Sequence, residues 1–180
     1  MIRLNKFLAR HGIGSRRYCD KLISEGNIKV NDKVIIDFSY KVTKKDIVEY
    51  NSRILGHRFK RVVYIVNKPK GYISTSFDED RNRNKVVDII KSEKKLFTIG
   101  RLDKDTTGLI LVTNDGDLSY KLTHPKFLIK REYIVKTNKS ISFNKINNFK
   151  KGIRLEANYF VKGIIKQDFS KGKYIYYKII

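Results

Sequence analysis

A polar loop at residues 100–108 carries the side chains of this chain that are best suited to chemistry. Its reactive groups are two carboxylates, one amine and two hydroxyls: Asp103, Lys104, Asp105, Thr106 and Thr107. Apolar runs at 96–99 and 109–112 flank the loop and predict two buried strands. Because buried strands fix the backbone on both sides, a loop between them is well placed to present a reactive group.

Two other interpretations of this loop compete with a reactive one. Oxygen-bearing side chains at alternate positions, with Gly108 in the sixth position, imitate the start of a calcium-binding loop. The twelfth position is Asn114 and not a glutamate that could bind through two oxygens, so the sequence disfavours calcium. A purely structural turn, in which Asp103 caps backbone amides, stays open from the local residues alone.

The strong positive charge of the chain indicates a polyanionic partner. The 180 residues include 40 Lys and Arg against 18 Asp and Glu, which gives a formal net charge of +22. Proteins this basic commonly bind phosphate backbones, so a nucleic acid is the expected partner. Lys, Asn, Ile and Tyr would also be abundant if the codons were AT-rich, and part of the charge can reflect that composition.

Cysteine usage and hydropathy narrow the class of protein further. Cys19 is the single cysteine, so the chain has no internal disulfide and no thiolate zinc cluster. Its position on an apolar helix face predicts a packed thiol rather than a nucleophile. Apolar runs reach about six residues, which is too short to cross a bilayer. The first residues enter an amphipathic pattern without a signal peptide, so we expect a cytoplasmic protein that does not bind membranes.

The first fifty residues predict two helices followed by a hairpin. Apolar residues at helical spacing indicate a short helix from residue 4, and Ser15 is a favourable N-cap for a second helix at 16–25. Strand-like residues at 28–36 surround an Asn-Asp turn. Basic residues gather on one rim, which suits RNA binding, but the same pattern is typical of a solvated helix face.

The rest of the chain predicts an α+β fold with a mixed, largely antiparallel sheet. Residues 61–67 are apolar on both faces and predict a central strand, and 85–94 predict a helix. Asp117 is expected to cap a further helix that follows Gly116. The remaining predicted elements are a helix at 141–151 and strands at 131–136, 152–155, 159–165 and 173–180.

The N-terminal segment resembles an S4 RNA-binding domain. The similarity rests on LNKFLAR at 4–10, GSRR at 14–17 and GNIKVNDK at 26–33. In that family, basic residues of the second helix and the hairpin contact RNA phosphates, which position a protein on RNA without reading its sequence. The resemblance implies RNA contacts by the matching residues Arg16, Arg17, Lys21, Lys29, Asn31 and Lys33. We add Arg3, on the polar side of the first helix.

The whole chain is similar to ribosomal pseudouridine synthases that carry an N-terminal S4 domain. The shared motifs are NKPKG at 67–71, GRLD at 100–103, TTGL at 106–109, TNDGDL at 113–118, HP at 124–125 and REY at 131–133. They resemble the enzymes of the large subunit slightly more than those of the small subunit. The resemblance implies an S4 domain at 1–50, a linker at 51–60 and a catalytic domain at 61–180. It also implies a monomer that acts on ribosomal RNA or a pre-ribosomal particle.

By this resemblance, Asp103 is the nucleophile that attacks uridine at its ring or its sugar. The glycosidic bond then breaks, the base turns, and a carbon–carbon bond forms through C5, without a metal, redox or nucleotide cofactor. Tyr133 would stack on the target base after that base has flipped out of the RNA. Arg101, Thr106 and Thr107 would hold the loop or touch the flipped nucleotide.

The sequence departs from the family at its end. Members normally continue into a basic segment whose arginine pairs with the catalytic aspartate, and this sequence stops at Ile180, so we expect a truncated catalytic domain. Arg101 or Lys68 would then supply the cation, although Lys68 is better suited to shaping a strand end than to reacting. An exposed edge at Ile179-Ile180 would favour aggregation. The alternative function is a non-catalytic RNA-binding or ribosome-assembly protein, derived from a synthase that lost its arginine.

Overall fold

The computed structural model describes residues 1–57, 59–76, 82–156 and 159–180. Contacts within the chain divide it into two units, Met1–Phe127 and Leu128–Ile180, and each combines α-helix with antiparallel sheets. Within the described residues, no helix has the length and hydropathy needed to span a membrane.

The first unit begins with two helices and a small sheet. The helices are α1 (Leu4–Arg10) and α2 (Arg16–Ser24). The strands are β1 (Ile2–Arg3), β2 (Ile28–Val30), β3 (Lys33–Val34), β4 (Lys41–Val42), β5 (Val48–Tyr50) and β6 (Arg53–Leu55). β1 pairs with β4, and the others form an antiparallel sheet in the order β3-β2-β5-β6. The predicted helix-helix-hairpin arrangement is confirmed, and β6 lies in the segment that was predicted to be a linker.

Local signals in the sequence explain this N-terminal module. The Ser15 hydroxyl accepts a hydrogen bond from the backbone N–H of Tyr18 at 3.2 Å, which caps α2 as predicted. Asn31 and Asp32 have φ angles of +51° and +64°, the left-handed conformation of a tight two-residue hairpin turn. The core contains several completely buried side chains, among them Leu4, Leu8, Ile23, Ile28 and Val48. Cys19 lies in this core, and burial raises the pKa of its thiol to about 11, as befits a packed, unreactive cysteine.

A three-stranded antiparallel sheet follows in the same unit. Its strands are β7 (Val63–Lys68), β8 (Phe97–Ile99) and β9 (Gly108–Thr113), in the order β7-β9-β8. The prediction that 61–67 is a central strand is wrong, because β7 pairs only with β9 among the described strands. Val66 is buried on one face, whereas Ile65 on the other is 75% exposed. Apolar residues on both faces of a strand therefore do not require that another strand pairs with each of its two edges.

The helix predicted at 85–94 is only one turn of 3₁₀ helix, Val86–Ile89. Ile90 is already extended, with φ −99° and ψ 115°, and this ends the turn. Most of the apolar residues in this segment are β-branched, and they lose side-chain freedom in a helix, so the periodic pattern overstated the helical tendency.

α3 (Gly116–Thr123) forms where a helix was predicted, but its N-cap is Asp115 rather than Asp117. The Asp115 carboxylate accepts hydrogen bonds from the backbone N–H groups of Asp117 and Leu118 at 2.9 and 3.3 Å. A 3₁₀ turn, Pro125–Phe127, follows α3. The corrected cap leaves the Asp117 side chain available for other contacts.

The second unit contains one helix and two antiparallel sheets. The helix is α4 (Phe143–Lys151). The strands are β10 (Tyr133–Thr137), β11 (Ile153–Glu156), β12 (Tyr159–Val161), β13 (Ile165–Lys171) and β14 (Tyr174–Ile179). β11 pairs with β12, and the other three strands are ordered β10-β14-β13. The strand predicted at 159–165 is therefore two strands that belong to different sheets.

The predicted exposed edge at Ile179-Ile180 is wrong. β14 is the middle strand of its sheet, and Ile179 pairs with Tyr133 on one side and with Ile165 on the other. Ile180 exchanges two backbone hydrogen bonds with Ile164, each 3.0 Å long. The last residues of the sequence are therefore paired with neighbouring segments. The sequence did not reveal this, because strand order depends on contacts between residues that are distant in the sequence.

Candidate active-site loop and nucleic-acid-binding residues

The polar loop identified in the sequence joins β8 to β9. Gly100, with φ +76°, turns the chain out of β8, in a conformation that favours glycine. The backbone N–H of Thr106 donates to the carbonyl of Asp103 at 3.1 Å, which closes a tight turn. The N–H of Gly71 donates to the carbonyl of Lys104 at 2.9 Å. The loop is thus held both by its own turn and by the segment that follows β7.

Ser74 fixes the residue immediately before Asp103. Its hydroxyl donates to the carbonyl of Leu102 at 2.8 Å and accepts from the N–H of Leu102 at 3.0 Å. The Leu102 side chain packs against the buried cluster that contains Val66 and Ile110. A residue anchored through its backbone and its side chain leaves Asp103 little freedom at its N-terminal side.

Lys68, the last residue of β7, supports the loop from the interior. Its side chain is completely buried. The ammonium donates to the carbonyls of Pro69, Lys104 and Thr106 at 3.2, 3.0 and 2.6 Å, so all three of its donors are used. Burial lowers the pKa of Lys68, while the nearby carboxylates of the loop, Asp105 and then Asp103, oppose that change. This geometry agrees with the prediction that Lys68 shapes the strand end.

The chemical groups of the loop face solvent. Asp103, Arg101 and Thr107 are exposed, and Thr106 is half-buried. Asp105 lies 4.0 Å from the ammonium of Lys70, and both side chains are almost three-quarters exposed. Of the two cations predicted to act on Asp103, Lys68 interacts with it electrostatically, and Arg101 forms no ion pair within the described residues. The loop therefore presents an accessible carboxylate on a supported backbone.

Tyr133 belongs to the second unit, where it is the first residue of β10. Its backbone pairs with Ile179 of β14, and its side chain is 41% exposed. Beside it, the carboxylate of Glu132 pairs with the Lys178 ammonium at 2.8 Å, and the hydrogen bond to Glu132 raises the pKa of Lys178. Tyr133 thus offers an accessible ring at the end of a well-paired strand.

The residues predicted to bind RNA in the N-terminal module are exposed: Arg3, Arg16, Arg17, Lys21, Lys29, Asn31 and Lys33. The ammonium groups of Lys21 and Lys29 lie 3.7 and 3.9 Å from the carboxylates of Glu25 and Glu49. Surface pairs of this kind contribute about 1 kcal/mol or less, so RNA phosphates can replace the glutamates as partners. These residues are therefore accessible to phosphates, and their arrangement on one basic rim stays a prediction.

Asn31 has a second role inside this module. Its amide nitrogen donates to the Asp46 carboxylate at 2.9 Å, and its amide oxygen accepts from the backbone N–H of Ile47 at 2.9 Å. The same residue occupies the left-handed hairpin turn. These contacts fix the turn, and an RNA contact by the Asn31 side chain stays a prediction.

Comparison with known families decides the relationship of this chain. Residues 62–179 match the family described as RNA pseudouridylate synthase, and residues 2–48 match the S4 domain. The chain belongs to the RNA pseudouridylate synthase family. The family resemblance and the predicted α+β organisation, an S4 domain followed by a synthase domain, are confirmed.

Several curated proteins are similar to this chain over most of its length. It is 41% identical to the ribosomal large subunit pseudouridine synthase B of Bacillus subtilis (strain 168), over 87% of this chain and 64% of that protein. It is 35% identical to the dual-specificity RNA pseudouridine synthase RluF of Escherichia coli (strain K12), over 93% of this chain and 57% of that protein. A solved structure described as a pseudouridylate synthase aligns with a TM-score of 0.60 at 25% identity, over 99% of this chain and 77% of that one. The chain therefore spans about three fifths of the length of these curated relatives.

The structure also contains a cluster of charged side chains that was not predicted from the sequence. The Asp117 carboxylate on α3 pairs with both the Lys6 ammonium and the Arg10 guanidinium of α1. Partial burial acts to raise the pKa of Asp117, but the hydrogen bonds and charges of Lys6 and Arg10 outweigh it, so the pKa lies below its usual value. In the sequence, the spacing of Lys6 and Arg10 by one helical turn indicates that the two cations share a helix face. It does not identify their partner, because Asp117 is more than a hundred residues away.

Proposed function

We propose that this protein isomerises uridine to pseudouridine in ribosomal RNA, with Asp103 as the nucleophile. The observation that supports this role is the placement of Asp103: exposed, directly after the anchored Leu102, on a loop whose carbonyls are held by the buried Lys68. A nucleophile benefits from such a fixed backbone because the attacking atom must approach one position of the substrate.

The chemistry conserves all atoms of the nucleotide. Asp103 attacks the uridine at its ring or at C1′ of its ribose, and the bond between N1 and C1′ breaks. The base turns, C5 bonds to C1′, and the proton that leaves C5 is balanced by one taken up at N1. The carboxylate departs unchanged, so the reaction needs no net oxidation or reduction. Within the described residues, no group of three or more His, Cys, Asp or Glu side chains could hold a metal ion.

Substrate positioning falls to residues around this loop and on β10. The uridine must leave its stack to reach a carboxylate, and an aromatic face compensates for the lost stacking. Tyr133, with its exposed ring, would supply that face. Arg101, Thr106 and Thr107 would contact the flipped nucleotide, since they border Asp103 and are exposed or half-buried.

The N-terminal module would bring the enzyme to its RNA. Its exposed basic residues contact phosphates in a way that does not depend on sequence. We propose ribosomal RNA, free or in a pre-ribosomal particle, as the partner and the large-subunit RNA as the preferred target, a preference supported by the name of the relative from Bacillus subtilis. We further propose that the protein works as a cytoplasmic monomer without a cofactor.

Removal of the Asp103 carboxylate tests this function directly. In unmodified ribosomal RNA, the protein should form pseudouridine, detected by chemical derivatisation and mass spectrometry of digested RNA, and Asp103→Asn should lower the rate by at least about 10³-fold. Asp105→Asn is the matched control, since it removes the same charge from the same loop and should retain most activity. Equal yields from the wild-type protein and Asp103→Asn would refute the proposal. RNA binding by the wild-type protein without any pseudouridine would favour the non-catalytic alternative.

A further inference from the structure

A groove of about 1150 Å³ lies within the first unit. One wall is formed by α1, the turn before α2 and the first residues of α2, and the other by residues 95–97 and α3. Its volume exceeds the roughly 300–1,000 Å³ of typical small-molecule sites, so it suits an extended ligand. Asp103 does not line it, and the groove is therefore separate from the candidate active-site loop.

The charge of the groove is strongly positive. Four cations line it, from both walls: Lys6, Arg10, Arg16 and Lys95. Asp117 is the only carboxylate among the lining residues that the structure describes. Arg16 and Lys95 are exposed and form no ion pair in the described part of the chain. The groove therefore has an excess of positive charge that a polyanion would neutralise.

Aromatic rings line the groove together with these cations. Tyr18 at the start of α2 and Tyr120 on α3 line the groove, with 45% and 44% of their surfaces exposed, and Phe97 of β8 lies half-buried beside them. The Tyr18 ring lies so close to the backbone of Gly14 that any side chain there would displace it. The absence of a side chain at Gly14 therefore leaves room for the ring at the wall of the groove.

The two walls are fixed to each other. Asp117 on α3 pairs with Lys6 and Arg10 on α1, so this cluster joins the two walls. Within the first wall, the amide of Asn5 on α1 donates to the Asp20 carboxylate of α2 at 2.8 Å. Lys95 also approaches the N-terminal module, where its charge acts on the Cys19 thiol. These contacts make the groove a single surface built by both parts of the unit.

We propose that this groove binds a single-stranded segment of the RNA that lies outside the reacting nucleotide. Its phosphates contact Arg16 and Lys95, and its bases stack on Tyr18 and Tyr120. A positively charged groove that also carries exposed aromatic rings is the arrangement that binds single-stranded nucleic acid without sequence preference. The inference deepens the proposed function and depends on it for the claim that RNA is the substrate.

Binding measurements with a labelled single-stranded RNA of about 12 nucleotides, matched to the usual footprint of such grooves, test the proposal. Tyr120→Leu and Tyr18→Leu should each weaken binding by about 5-fold or more, the loss expected for one stacked base. Lys95→Gln should weaken binding and lower the slope of log K against log salt by about 0.7. Phe38→Leu and Lys44→Gln are the controls, since they remove an exposed ring and an exposed charge outside the groove.

Loss of affinity in the variants on both walls, with unchanged circular dichroism and melting, supports the joint groove. Wild-type affinity in Tyr120→Leu and Lys95→Gln overturns it, even if Tyr18→Leu is impaired, because the RNA would then contact one wall alone. As a second measurement, RNA that contains 4-thiouridine should crosslink on irradiation to peptides that include Tyr18 or Tyr120, and crosslinks confined to other peptides contradict the proposal. Pseudouridine formation is scored separately, so a groove that binds RNA in a protein that forms no pseudouridine refutes only the proposed function.

Discussion

At the scale of single residues, Lys68 supports the candidate active-site loop without reacting itself. A buried ammonium is normally unfavourable, and here three carbonyls compensate for the loss of water. Two of those carbonyls belong to the loop that carries Asp103, so the same contacts that satisfy Lys68 also hold the candidate nucleophile. A carboxylate on an otherwise exposed loop is thereby given a fixed starting position.

Lys68→Met is expected to lower the free energy of unfolding by about 2–4 kcal/mol, because the partly buried carbonyls of Pro69, Lys104 and Thr106 lose the ammonium that donates to them. Pseudouridine formation should fall as well, since the loop loses its support. Urea denaturation and a rate measurement check both effects. Lys70→Met is the control, because Lys70 is mostly exposed and should change stability by less than about 0.5 kcal/mol. A Lys68→Met protein with wild-type stability and rate would show that the loop is held by other contacts.

At the scale of elements, ion pairs connect α1 to α3. Both helices are short, and no residue of α3 is fully buried. The Asp117 carboxylate joins them through Lys6 and Arg10, and its side chain remains 38% exposed. Pairs that are this exposed are screened by water, so their contribution is modest, but it depends on the charge of one group.

The stability of the first unit should therefore depend on pH through Asp117. The pKa of Asp117 is lower in the folded protein than its unfolded value, so the stabilisation is present above about pH 4 and is lost as the pH falls through the folded pKa. Asp117→Asn should destabilise the unit by about 1 kcal/mol near neutral pH and by less in acid.

Calorimetry at several pH values, compared with the control Asp32→Asn, measures the effect of Asp117→Asn. Asp32 is exposed in the hairpin turn, where asparagine also tolerates the left-handed backbone. A difference between wild type and Asp117→Asn that stays constant from neutral to acid pH would exclude the proposed linkage.

At the scale of the whole molecule, the excess of basic residues determines how RNA binding responds to salt. A net charge of +22 provides attraction from any direction, but only cations that touch phosphates release counterions on binding. The exposed arginines at the start of α2 are candidates for such contacts, whereas many other lysines contribute only to the general field.

Arg16→Gln combined with Arg17→Gln should reduce the slope of log K against log salt by about 1.4–1.8, the value for two lost phosphate contacts. Lys44→Gln with Lys45→Gln removes the same charge from another exposed site of the module and should change the slope little. Titrations of ribosomal RNA fragments at several salt concentrations measure both slopes. Equal slopes for the two double variants would mean that net charge, and not position, governs binding.

The sequence predicted elements well where the deciding interactions are local. The Ser15 cap of α2, the Asn-Asp turn and the strands on both sides of the Asp103 loop formed as expected, since caps, turns and periodicity depend on neighbouring residues. It failed for the helix expected at 85–94, where apolar periodicity was mistaken for helix formation in a β-branched segment. The motif around Asp103 identified the candidate loop, but not the bonds that hold it.

By itself, the sequence determined the family, the order of the two modules and the identity of the candidate nucleophile, because short contiguous motifs are enough to recognise each of them. The tertiary structure alone decided that β14 is a middle strand, that Lys68 supports the loop through carbonyls, and that Asp117 joins α3 to Lys6 and Arg10. Each of these depends on groups brought together across long stretches of chain, and the choice of partner is made by packing rather than by any pattern among neighbouring residues.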